Sequence, residues 1–74
     1  MHQEEMTKKI EEVSEDMFDK VFLDMMIMHH EGAVDMAKVV QRRSKNDKIK
    51  EFANKIIETQ QNEIRQMEQW KSEV

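Results

Sequence analysis

Between Asp16 and Lys71 the chain carries no proline, a single glycine at Gly32, and one polar break, Arg42-Arg43-Ser44-Lys45-Asn46-Asp47. Uninterrupted stretches this long, rich in Glu, Lys, Gln and Met, favour helix at nearly every position. The break predicts two long helices, residues 16–44 and 47–71, joined by a short turn into an antiparallel hairpin. The basic pair Arg42 and Arg43 suits the negative end of the first, and Asn46 or Asp47 can cap the second. Ahead of them, Met6, Ile10, Val13 and Met17 recur at alternating spacings of four and three, the stripe of a short amphipathic helix over residues 1–13. Prolonged as one straight helix, that stripe would lie about 120° from the main apolar stripe of the next segment. A break near Ser14-Glu15-Asp16, with Ser14 or Asp16 as cap, resolves the conflict.

At 100° per residue, Phe18, Phe22, Met25, His29, Ala33, Met36 and Val40 share one stripe of the first long helix, the expected hairpin core. Gly32 beside it is expected to allow a close helix approach. Leu23, Ile27 and Val34 point to nearly the opposite side, with His30 at its edge. A helix apolar on two sides needs several neighbours. The second long helix presents Ile49, Phe52, Ala53, Ile56, Ile57, Gln60, Ile64 and Met67, with Trp70 at the margin. Counting outward from the turn sets His29 level with Gln60 to Glu63 and Met25 level with Met67. One domain of 74 residues without cysteine has neither disulfides nor thiolate sites to reinforce a small core. A second copy is the expected source of the missing burial, two hairpins forming a four-helix bundle.

The net charge of −4 argues against nucleic acid, and no apolar run approaches the roughly 18 residues of a membrane span. The first residues, Met1-His2-Gln3-Glu4-Glu5, have no apolar signal region, so the expectation is a cytosolic chain or the mature part of an exported one.

The densest chemistry lies in Met25-Met26-Ile27-Met28-His29-His30-Glu31-Gly32-Ala33-Val34-Asp35-Met36-Ala37. Thioether and imidazole are the donors that soft and borderline metal ions select, Cu(I) above all. Met25/His29 and Met26/His30 are both i,i+4 pairs, able to converge on one ion, and their two faces lie roughly 100° apart. The bland alternative is a core histidine bonded to Gln60 or Glu63 among packing methionines. Against it, the chain has eight methionines and a single leucine, Leu23, although leucine is the ordinary choice for a helical core. The Glu-x-x-His motif of di-iron bundles is absent, and no third histidine near His29 and His30 completes a zinc site. His2, near the terminus, is at most a minor ligand. No serine or cysteine nucleophile is paired with a base, so an enzyme is not expected.

The pattern Asp19-x-x-Phe22-x-x-Met25-Met26-Ile27-x-His29-His30-x-x-Ala33-Val34-x-Met36-Ala37, followed by Ala53-x-x-Ile56-Ile57-x-x-Gln60-x-x-Glu63-Ile64-x-x-Met67-x-x-Trp70, resembles the CopM-like family, long catalogued as a domain of unknown function. The resemblance implies a ferritin-like helical bundle, often exported in bacteria, whose studied members are linked to copper binding and resistance. Carried over by position, the ligands it implies are Met25, Met26, His29, His30, Met36 and Met67, with Glu63 and Gln60 able to orient a histidine. Met28 stands where members commonly carry proline, which removes a kink and straightens the helix. The resulting expectation is a core site near His29 and a sideways pair at Met26/His30. It would hold Cu(I), or Cu(II) through the histidines and Glu63, in a homodimer that sequesters the metal. A structural or partner-binding helical dimer without metal is the alternative.

Overall fold

The computed structural model describes residues 3–74, so His2 lies outside the described residues. Three helices follow in order: α1 (Gln3–Glu11), α2 (Phe18–Arg43) and α3 (Asp47–Glu73), and no strand occurs among the described residues. The two long helices form the antiparallel hairpin, and α1 packs against α2 without touching α3.

The turn is built as the break at residues 42–47 implied. The Ser44 amide donates to the Val40 carbonyl (2.9 Å) and closes α2, while the Asn46 side chain accepts from the Lys48 and Ile49 amides (2.9 and 3.2 Å). Such a cap contributes about 1 kcal/mol by satisfying amides that helix geometry leaves without partners. Asn46, rather than Asp47, is the capping residue. The start of α2 differs from expectation. Its N-cap is Met17, with no side-chain cap, and neither Ser14 nor Asp16 caps it. Instead the Ser14 and Glu15 carbonyls accept from the Met17 and Phe18 amides, so backbone turns carry the chain into the helix. α1 ends at Glu11 and unwinds through two i→i+3 bonds, from Glu12 to Lys9 and from Val13 to Ile10.

The face of α2 turned to α3 is the reverse of the one expected. Leu23, Ile27, His30, Val34 and Ala37 are its buried residues, against Ala53 and Met67 of α3. The richer stripe faces away: Met36 is 66% exposed and Phe22 47%, and Phe18 and His29 are also exposed. The reason is packing distance. Ala37 and Ala53, the two most buried residues, allow the helices to approach closely beside the turn. The bulky Phe and Met side chains of the other stripe would hold them apart. Leu23, Ile27 and Met67 close the far end, with Met26 and Ile64 packed against them.

Gly32 is likewise not a point of close approach. A methyl group added there would meet nothing within 4 Å. A helical glycine in open space only lowers helix stability, so Gly32→Ala is expected to raise the unfolding free energy by about 0.5–1 kcal/mol, read from the urea midpoint at unchanged slope.

The hairpin has two unlike flanks. On one, Glu31 and Asp35 of α2 border a groove with Gln61 and Arg65 of α3. Near the open end, Lys71 Nζ meets Asp24 Oδ1 at 2.5 Å, and this hydrogen bond and its charge hold the Lys71 ammonium protonated above the usual lysine range. Both partners are solvated, so the pair adds little to stability. The opposite flank carries Phe22, Met26, Ala33 and Val40 beside Phe52, Ile56 and Trp70, by helical periodicity on the side where His30 meets Glu63. Overall extents of 47 × 26 × 13 Å leave the molecule about one helix thick in its shortest direction. Among the described residues no large side chain is fully buried.

Candidate metal site

Two neighbouring histidines, one residue apart, live in different environments. Their rings lie 6.2 Å apart, centroid to centroid, edge to face. His30 is on the buried face. Its Nδ1–H donates to the Met26 carbonyl one turn back (2.8 Å), and its Nε2 is hydrogen-bonded to Glu63 Oε2 across the hairpin (2.5 Å). A carbonyl can only accept, so Nδ1 carries a proton, while Nε2 either donates to the Glu63 carboxylate or accepts from its protonated carboxyl. Either way, neither nitrogen offers a free lone pair while these bonds are made. The partner of Glu63 is thus His30, and the expected core histidine, His29, is exposed. Glu63 stands at the level in α3 that counting from the turn implied. The helix face, not the level, is what changes.

His29 looks into a second space. A cleft of about 380 Å³ between α1 and α2 is lined by Met6, Thr7 and Ile10 on one side and by Phe22, Met25, Met26 and His29 on the other. Three methionines and one histidine are among its lining residues. Met25 and His29 are one turn apart on the same stripe, and Met26 borders them while also touching the hairpin core. No three His, Asp or Glu side chains converge among the described residues, so the donor set available here is dominated by sulfur. Sulfur donors with a single imidazole match a soft monovalent ion and suit hard divalent ions poorly.

The seven residues singled out from the sequence therefore separate into three groups. Met25, Met26 and His29 line the cleft together. His30 and Glu63 form the buried polar pair. Met67 is a core residue at 7% exposure, and Met36 stands on open surface. Met36 is seven residues beyond His29, about 10 Å along the axis, too far to share an ion held at ordinary ligand distances. Met6 is the cleft residue that the motif did not supply. Its signal was the stripe Met6-Ile10-Val13, whose apolar side required some partner.

A helical hairpin with a short third helix, enclosing a methionine- and histidine-lined cleft, defines this chain as a small all-helical domain. The chain belongs to the family described as a domain of unknown function, DUF305, whose profile matches residues 1–71. An uncharacterized protein of Acanthamoeba polyphaga mimivirus, L153, is 47% identical over 49 residues, which are 66% of this chain and 32% of that protein. The chain thus matches about a third of the length of this relative. No solved structure matches it.

Proposed function

We propose that this chain binds a soft metal ion, Cu(I) first, in the cleft between α1 and α2, and that it sequesters or buffers the metal rather than catalysing a reaction. The observation that carries the proposal is that Met6, Met25, Met26 and His29 all line one cleft. Thioethers are neutral and bind without losing a proton, and they favour Cu(I) over Cu(II) and Zn(II). The resemblance of the Met25–Ala37 motif to the CopM-like family supports the same metal, and would place the protein in an exported, oxidising compartment. Absence of cysteine suits that setting, since thiol ligands would be lost there to disulfides. His30 and Glu63 have a positioning part. By tying α2 to α3 they fix the rotation of α2, and with it the side on which Met25 and His29 stand.

An anaerobic competition titration with a chromogenic Cu(I) chelator tests this. One equivalent of Cu(I) is expected to bind, and His29→Ala and the double variant Met25→Leu/Met26→Leu should each weaken binding by about tenfold or more, ~1.4 kcal/mol. Affinities equal to wild type in both would remove the cleft as the site.

A second feature of the reading is the quaternary state. The large apolar residues left open on one flank, in a molecule about one helix thick, favour pairing with a second copy into a four-helix bundle. A helical dimer that binds no metal would share this surface, and the titration separates the two.

A further inference from the structure

We infer that α1 is a metal-coupled flap: Met6 reaches the ion from α1, and Cu(I) and the docking of α1 on α2 stabilise each other. This rests on the cleft being the copper site and adds a ligand, and a regulation, that the α2 motif does not contain.

Three observations carry it. First, α1 has only nine residues, too short to be a stable helix without tertiary support. Second, that support is slender. α1 touches α2 alone, and its half-buried side chains are Met6 and Ile10, while Glu4, Glu5, Thr7, Lys8, Lys9 and Glu11 are exposed. The link to α2 passes through a turn with no side-chain cap. Third, the docking face and the donor set coincide. Met6 and Ile10, which hold α1 in place, border the same 380 Å³ cleft as Met25, Met26 and His29.

A weakly held element bearing one ligand of a shared ion is coupled to that ion by thermodynamic necessity. The factor by which docked α1 raises copper affinity equals the factor by which copper raises the docking equilibrium of α1. Loss of Met6 must therefore show in two measurements by the same ratio. No covalent bond is made or broken. The thioether of Met6 donates a lone pair to Cu(I), and undocking returns it to solvent.

Hydrogen exchange on the full-length chain, read by mass spectrometry over residues 3–11 with and without one equivalent of Cu(I), tests the inference. In wild type, Cu(I) is expected to slow exchange of the α1 amides by about tenfold, the affinity contribution of one thioether taken as ~1.4 kcal/mol. Met6→Leu preserves volume and the apolar docking contact. It should still bind Cu(I) through Met25, Met26 and His29, about tenfold more weakly, with α1 exchange at saturating Cu(I) equal to that of the metal-free chain. Wild type that binds Cu(I) without protecting α1 would overturn the flap while leaving the proposed metal function intact. So would Met6→Leu with wild-type protection. No Cu(I) binding at all would overturn both.

Discussion

Replacing His30 with alanine is expected to lower the unfolding free energy by about 2–4 kcal/mol, and with it the Tm by about 10–30 °C in a domain of this size. His30 is 8% exposed, on the face that packs against α3, and its bond to Glu63 ties the two long helices together with a polar contact near mid-length. Its removal leaves a cavity between Ile27 and Val34 and deletes two hydrogen bonds at once. The partner substitutions grade the effect. Glu63→Gln retains a hydrogen-bonding side chain for Nε2 and should cost under about 1 kcal/mol. Glu63→Ala leaves that nitrogen without its protein partner, and should cost about 1–2 kcal/mol, because the side of the pair where Glu63 sits, 52% exposed, admits water. Urea unfolding of the three variants gives the order directly. Copper binding supplies the contrast: in the folded fraction, Glu63→Gln should keep wild-type Cu(I) affinity, whereas His29→Ala should lose it. The opposite pattern would move the metal from the cleft to the His30–Glu63 pair.

The adjacent histidines show what could be read from residues alone. Helix type, the turn at residues 44–46 and the level of Glu63 against the histidines follow from propensity, capping chemistry and the fixed rise of a helix. These are local or one-dimensional properties. The rotation of α2 about its own axis is not. Two apolar faces competed for α3, and the stripe with more aromatic and methionine surface looked the better core. Its very bulk excludes it, because the hairpin closes on Ala37 and Ala53 and selects whichever face lies opposite them. A rotation of about 120°, the angle between the two faces, exchanges the roles of His29 and His30. The part of Met6 was hidden for a different reason. It reaches the cleft through a chain reversal at residues 12–17 whose angle no local signal determines.

Phe52→Glu is expected to convert a dimer of twice 9.0 kDa into single chains at micromolar concentration. Phe52 is 61% exposed on α3, and Trp70, five turns further along the same side, is 49% exposed. With Phe22 and Val40 of α2 they mark out a flank about 27 Å long and about two helices wide, on the order of 500 Å² per copy. Each partner in an interface of standard size buries about 800 Å², so this flank would form the larger part of one. Exposed single hydrophobes need no explanation, but several large ones on one side of a molecule about one helix thick do. A charge placed at Phe52, its most exposed aromatic residue, should weaken pairing by about 2 kcal/mol or more, roughly thirtyfold, which sedimentation equilibrium resolves. The same substitution discriminates sharply in thermal unfolding. If the chain pairs, wild-type Tm rises with protein concentration and Phe52→Glu melts lower, because each hairpin depends on the other for burial. If the chain is a monomer, Tm is independent of concentration, and an exposed Phe52→Glu changes stability by no more than about 0.5 kcal/mol. The second result would leave the copper cleft untouched, since it lies between α1 and α2 of one chain, and would refute the four-helix bundle.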